Sequence, residues 1–117
     1  MLRMMAILFG IGFIFAGVAG FLPSFMPNGL LLGFFAVDSV HNMVHIASGV
    51  VAIMCAMSYR AAKFYFIIFG LIYGAIGILG FACADSMNGM QMNIADNILH
   101  VSIAAVALFL GFSAREF

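Results

Sequence analysis

The chain has 117 residues, of which 67% are hydrophobic and only 7% are charged, and its formal net charge is zero. A composition this apolar lies outside the range of soluble domains and provides no basic surface for nucleic acid. The sequence therefore predicts an integral membrane protein whose principal surroundings are the lipid bilayer.

Four apolar stretches are each long enough to cross a bilayer, which requires roughly 20 mostly apolar residues. They cover about residues 4–22, 37–57, 64–82 and 93–112. Because these stretches use most of the chain, we expect residues 1–117 to form one all-α domain, a four-helix bundle that spans the membrane four times.

The charged residues divide between the two sides of this predicted bundle. Cytoplasmic loops of membrane proteins carry an excess of Lys and Arg. We therefore expect a multi-pass protein of the bacterial inner (cytoplasmic) membrane with both termini in the cytoplasm. The basic residues on the cytoplasmic side are Arg3, Arg60, Lys63 and Arg115, and the acidic residues on the outer side are Asp38, Asp85 and Asp96, with Glu116 as the exception.

The two halves of the chain resemble each other. Residues 10–21 align without gaps to residues 70–81, and residues 38–45 align to residues 93–100. This similarity predicts two helical hairpin repeats of parallel orientation, over about residues 4–57 and 64–113, related by an axis along the membrane normal. Small residues let helices approach closely in lipid, so we interpret the glycines of the first and third helices as packing surfaces. These glycines are Gly10, Gly17, Gly20, Gly70, Gly74, Gly77 and Gly80.

Two further segments have a predicted position relative to the membrane. Residues 23–37 are too apolar for a water-exposed loop, and we expect them to lie at the headgroup level as a short interfacial helix that caps the bundle. Tyr59 and Tyr65 follow a short basic loop and are interpreted as interfacial anchors.

A polar face is predicted on the second helix and again on the fourth. Its residues recur at helical spacing, and ionisable groups inside a membrane mark a functional site by default. We expect the two faces to meet at the bundle centre, in its outer half. The second helix contributes Asp38, His41, Asn42 and His45, and the fourth contributes Asn93, Asp96, Asn97 and His100.

This polar cluster has the composition of a metal site. His41 and His45 can chelate one ion at i, i+4, with His100 as a third ligand and Asp96 as a fourth ligand or a supporting partner. Zinc, copper and iron all suit such ligands. A second version is haem b with His45 and His100 as axial ligands. Asp38, Asn42, Asn93 and Asn97 complete the polar surroundings in either version.

Other roles stay open at this point. The cluster can be interhelical hydrogen bonding in a homo-oligomer or in an accessory subunit of a larger membrane complex. Proton or ion passage is a further alternative, although Gly49, Ala52, Ala104 and Ala107 offer no polar continuation. Methionines within residues 87–92 are a weak indication of Cu(I) binding. The sequence contains no nucleophile constellation and no phosphate-binding loop, so we predict no catalytic residues and do not predict an enzyme.

The chain resembles a bacterial family of small four-helix membrane proteins catalogued as domain of unknown function 4383. The resemblance is carried by residues 17–21, by the string His41-Asn42-Met-Val-His45 with Gly49 after it, and by residues 93–100. It implies four spans and a shared polar cluster, and it implies no activity.

Overall fold

The computed structural model describes residues 1–82 and 93–114 and has four α-helices: α1 (Leu2–Ala19), α2 (Ser39–Cys55), α3 (Tyr59–Ala82) and α4 (Ile94–Ser113). The predicted all-α helical bundle is confirmed. By length and composition α1, α3 and α4 can cross a membrane, whereas α2 is a shorter apolar helix of 17 residues. Helix α3 begins five residues earlier than predicted, because Ser58 Oγ accepts a hydrogen bond from the Ala61 amide and caps it.

The helices pack most closely in two pairs, α1 with α2 and α3 with α4. In each pair a glycine removes the side chain that would keep the backbones apart. A Cβ added at Gly17 would lie 2.6 Å from the carbonyl oxygen of Asn42, and one added at Gly70 would lie 2.7 Å from Leu108 Cγ. These glycines therefore lie where the helices approach closely, which agrees with their interpretation as packing surfaces. Gly74 is the exception, since its added Cβ would make only ordinary contact at 3.4 Å.

Aromatic rings join the two pairs through α3, which contacts both α1 and α2. Phe13 and Tyr73 stack with ring centroids 5.1 Å apart, and Phe9 meets Phe66 edge to face at 4.9 Å. Tyr65 is only 3% exposed and its hydroxyl donates to the Ser48 carbonyl oxygen at 3.1 Å. The interpretation of Tyr65 as an interfacial anchor was wrong, because the early start of α3 places this residue almost two turns inside the bundle.

Two basic side chains close the ends of α2 and α4. Arg3 Nε donates to the Ala56 carbonyl oxygen at 2.7 Å, and Lys63 Nζ donates to the Gly111 carbonyl oxygen. Cations at helix C-termini satisfy the last carbonyls and interact favourably with the helix dipole. These residues therefore have a structural role in addition to the charge pattern that was read from the sequence.

The segment between α1 and α2 contains short turns and no α-helix. Two 3-10 turns, Pro23–Phe25 and Pro27–Gly29, are followed by a tight reversal in which Leu31 pairs with Phe35. Asn28 and Leu32 both have positive φ, 58° and 53°, and a glycine with positive φ follows each. Two consecutive residues of positive φ form a type I′ turn, which a helix cannot contain. The predicted interfacial helix is therefore replaced by turns.

Candidate metal centre

Three histidines converge between α2 and α4. The ring centroid of His41 lies 4.5 Å from that of His45 and 5.4 Å from that of His100, and the last two rings are 5.9 Å apart. One nitrogen from each ring can be chosen so that all three lie within 4.8 Å of one another. Each side chain is at most 5% exposed. The convergence expected from helical spacing is thus present, at the end of the bundle next to the loop of residues 20–38.

The starts of α2 and α4 determine where these rings lie. Asp38 is the N-cap of α2, and its Oδ1 accepts a hydrogen bond from the His41 amide at 2.8 Å. Asn93 and Asp96 form a capping box at α4, in which each side chain accepts from the backbone amide of the other. Because capping fixes the first turn of a helix, it also fixes the direction of the histidines one or two turns later.

Asp96 joins α4 to the loop before α2. Its Oδ2 accepts from the amide of Asn93 at 2.9 Å and from the amide of Ala36 at 3.0 Å. Its carboxylate also interacts electrostatically with His41. Within residues 1–82 and 93–114, the group of ligand atoms within 4.8 Å comprises the three histidines and no carboxylate. Asp96 therefore lies beside the histidines with its Oδ2 already used by the backbone.

Asn42 and Asn97 are buried against glycines of the neighbouring helix. A Cβ added at Gly20 would overlap the carboxamide of Asn42, and one added at Gly80 would overlap that of Asn97. Each Oδ1 therefore lies along a glycine Cα–H direction, the geometry of a weak C–H···O hydrogen bond. Both carboxamides belong to the polar surroundings, and their described contacts hold α1 to α2 and α3 to α4.

Several nitrogens of the cluster lack a hydrogen-bond partner in the described part of the chain. They are Nδ1 of His45 and both Nδ1 and Nε2 of His100. Buried polar atoms are nearly always satisfied by protein, water or a ligand, and one left without a partner costs about 1–3 kcal/mol. His100 is therefore a buried ring whose two polar atoms require something that the described protein atoms do not supply.

Tyr73 extends the polar cluster toward the middle of the bundle, and sequence reasoning missed it. Its ring centroid lies 5.4 Å from that of His100, and its hydroxyl shares a 2.7 Å hydrogen bond with Ser48 Oγ. In the alignment of the two halves, Tyr73 stands opposite Phe13, 60 residues earlier. This equivalence was the sequence feature from which a polar residue beside the histidines could have been predicted. Phe13 stacks on Tyr73 and also lies 5.7 Å from the His45 ring, so aromatic side chains form one wall of the site.

Other residues singled out by the sequence lie elsewhere. The methionines of residues 87–92, together with Asp85, Cys83, Arg115 and Glu116, are outside the described residues. Cys55 carries a free thiol near the end of α2.

Comparison with known proteins gives one match. The sequence model of the family described as Domain of unknown function (DUF4383) matches residues 3–113. No curated protein and no solved structure matches the chain.

Proposed function

The chain belongs to the DUF4383 family, and we propose that it is a membrane protein that binds a transition-metal ion through His41, His45 and His100. The description of the family assigns no activity, so the proposal rests on the geometry of the site. The observation that carries the proposal is the convergence of three buried imidazoles whose ligand atoms lie within 4.8 Å of one another. Imidazole ligands suit zinc, copper and iron.

The separation of the nitrogens is close to what one ion requires. Two imidazole nitrogens on a tetrahedral ion lie about 3.3 Å apart, given metal–nitrogen bonds of about 2.0 Å. The chosen nitrogens lie up to 4.8 Å apart, so we expect the rings to rotate toward one another when an ion binds. Asp96 is proposed as the supporting carboxylate, because it interacts with His41 while its Oδ2 accepts two backbone hydrogen bonds. Such partners orient a metal-binding imidazole and raise its basicity.

Two alternatives fit the geometry less well. If the cluster were only interhelical hydrogen bonding, His100 would be expected to bond a neighbour, yet both its nitrogens lack one among the described residues. Haem b between His45 and His100 would need a planar slot between these rings. The ring of His41 lies 4.5 Å from one of them and 5.4 Å from the other, in the space that the porphyrin would occupy.

Proton passage is favoured by one observation and opposed by another. The hydroxyls of Tyr73 and Ser48 continue the polar cluster toward the other end of the bundle. The Tyr65 hydroxyl, however, donates to a backbone carbonyl, and beyond it the described core is an apolar cluster that includes Leu2, Ala6 and Phe66. A relay for protons needs polar groups along its whole length, so metal binding is the better proposal.

We further propose that α2 is the fourth membrane span and that the chain consists of two hairpin repeats. Seventeen residues are at the short end of the range for a spanning helix. The repeat is supported by equivalent contacts in the two halves. Gly17 contacts Ile46, and Gly77, 60 residues after Gly17, contacts Val101, which is 55 residues after Ile46. The basic residues at one end support an inner-membrane protein with cytoplasmic termini.

One chain contains all three ligands, so the site requires no second copy or partner subunit.

The test is metal analysis of the purified protein after reconstitution with zinc, copper or ferrous ions. We expect one ion per chain in the wild type. His45→Ala and His100→Ala each remove a ligand, so we expect their metal content to fall about tenfold or more, because losing even a supporting partner lowers metal affinity about 10–100-fold. Ser102→Ala is the matched control, because Ser102 is exposed on α4 and its hydroxyl donates to the Ile98 carbonyl oxygen of the same helix. A wild type that stays metal-free after reconstitution contradicts the proposal, and a Soret band would replace it with haem.

A further inference from the structure

An apolar crevice runs between α1 and α4 and ends at the histidine cluster. It consists of two adjoining cavities of about 260 Å³ and about 200 Å³. Both are lined by Ala16, His45 and Leu99. The first continues toward the middle of the bundle, and the second ends under the loop. Together they reach the size of a small-molecule pocket, about 300–1,000 Å³.

Small residues on α1 help keep this seam open. Gly12 and Ala16 line it, and a Cβ added at Gly12 would meet no atom of the described residues within 4 Å. At the matching positions, 60 residues later, α3 carries Ile72 and Ile76. The seam that α3 forms with α2 is joined by the hydrogen bond between Tyr73 and Ser48. The two sides of the bundle therefore differ, and only the α1–α4 side is lined by small residues at these positions.

The depth of the crevice limits what can enter it. Phe9 and Phe13 lie near the middle of α1, and Ile103 lies near the middle of α4, so the first cavity is at hydrocarbon depth. A phospholipid headgroup stays at the bilayer surface. The described basic side chains, Arg3, Arg60 and Lys63, line neither cavity. An anionic head would be buried there without a countercharge, at high cost. Asp96 lines the second cavity, and its Oδ2 already accepts two backbone hydrogen bonds.

Two polar side chains line this apolar path, His45 and Asp96, and of these His45 alone lines both cavities. The imidazole of His45 lines both cavities, is 5% exposed, and has no hydrogen-bond partner at Nδ1 within the described chain. A neutral imidazole always has one N–H to donate. The matching ligand has an uncharged acceptor on an otherwise apolar body, and a flat ring suits the aromatic walls that Phe9 and Phe13 provide.

We propose that the crevice between α1 and α4 binds a lipid-soluble quinone that enters laterally from the bilayer. One carbonyl oxygen of the quinone accepts a hydrogen bond from His45, its ring lies against Phe13 and Leu99, and its tail follows the apolar seam. The proposal goes beyond metal binding and does not require a bound ion, because the crevice and the ring of His45 are features of the chain itself.

The test is a titration of the metal-free protein in detergent with decylubiquinone, followed by the rise in thermal unfolding temperature that ligand binding produces. We expect saturable binding at one quinone per chain. Ala16→Ile and Gly12→Ile place in α1 the residue that α3 carries at the matching position, and each should weaken binding about tenfold or more. Ala47→Ile is the control, because Ala47 is an exposed small residue on α2.

The outcomes separate this proposal from metal binding. Ala16→Ile should keep the metal content of the wild type and lose the quinone. Unchanged quinone affinity in both Ala16→Ile and Gly12→Ile overturns the proposal. Competition by decanol at the same concentration as decylubiquinone also overturns it, because the crevice would then accept any alkyl chain. If the wild type binds metal and no quinone, the quinone proposal alone fails; if it binds quinone and no metal, the metal proposal alone fails.

Discussion

Glycine at two positions determines how closely the asparagines of the cluster approach the neighbouring helix. The Oδ1 atoms of Asn42 and Asn97 have no conventional partner in the described chain and lie against Gly20 and Gly80. A methyl group at either glycine would occupy the position of the carboxamide. The glycines therefore protect the polar cluster as well as the packing of the helices.

We predict that Gly20→Ala lowers the free energy of unfolding by about 1–3 kcal/mol, the usual cost of inserting a methyl group into a packed site. Gly12→Ala is the matched control on the same helix. In the part of the chain that the structure describes, no atom lies within 4 Å of its added Cβ, so Gly12→Ala should be neutral or stabilise by up to ~1 kcal/mol through helix propensity. The measurement is denaturant titration in mixed micelles. Equal stability of the two variants would show that the Asn42 contact has no energetic weight.

At the scale of elements, Asp96 connects α4 to the first loop, beside Asn93, whose Nδ2 donates to the Phe34 carbonyl oxygen. Asp96 Oδ2 accepts hydrogen bonds from the backbone amides of Asn93 and Ala36, which belong to opposite halves of the chain. The same side chain is the carboxylate that we propose to support His41. Its two roles can be separated, because one requires an acceptor oxygen and the other requires a negative charge.

We predict different effects for two substitutions of Asp96. Asp96→Ala removes the acceptor, so hydrogen exchange at the Ala36 amide should accelerate and the free energy of unfolding should fall by about 1–3 kcal/mol. Asp96→Asn retains an acceptor oxygen and removes the charge, so it should largely preserve the loop while metal affinity falls about 10–100-fold. Metal titration and exchange mass spectrometry measure the two effects. Full metal affinity in Asp96→Asn would remove this residue from the metal site.

The elements that were predictable from the sequence are those with a strong period. Apolar runs gave the four helices, and the spacing of His41, His45 and His100 indicated a common axis. The turn at Leu32 could not be predicted, because a leucine of positive φ is imposed by the surrounding chain and leaves no local signal. The burial of Tyr65 was missed because Ser58 starts α3 early. The bond between Asp96 and Ala36 depends on how the loop folds over α4, which no periodicity encodes.

At the scale of the whole molecule, the described charges lie at opposite ends of the bundle. Arg3, Arg60 and Lys63 are near the starts of α1 and α3, whereas Asp38 and Asp96 are at the starts of α2 and α4. If the basic end faces the cytoplasm, the histidine cluster lies in the outer half of the membrane. Metal would then reach it from the external side.

Reporter fusions test this orientation. A fusion after Asn28 should report an external location, and a fusion after Arg60 should report a cytoplasmic one. Reversing the charge bias, by changing Arg60 and Lys63 to glutamine, should reduce the fraction of molecules in the predicted orientation. An external signal after Arg60 in the unmodified chain would invert the topology and place the histidines near the cytoplasmic leaflet.

The packing of the helices in two pairs has a consequence for fragments of the chain. His41 and His45 belong to the pair α1 and α2, and His100 belongs to the pair α3 and α4. The covalent link between the pairs is the short segment of residues 56–58. A polypeptide that stops there holds two of the three imidazoles, and a polypeptide that starts there holds the third. Neither fragment alone has the complete ligand set. When the two fragments are produced separately, metal binding would therefore require their association in the same membrane, and metal content would measure that association.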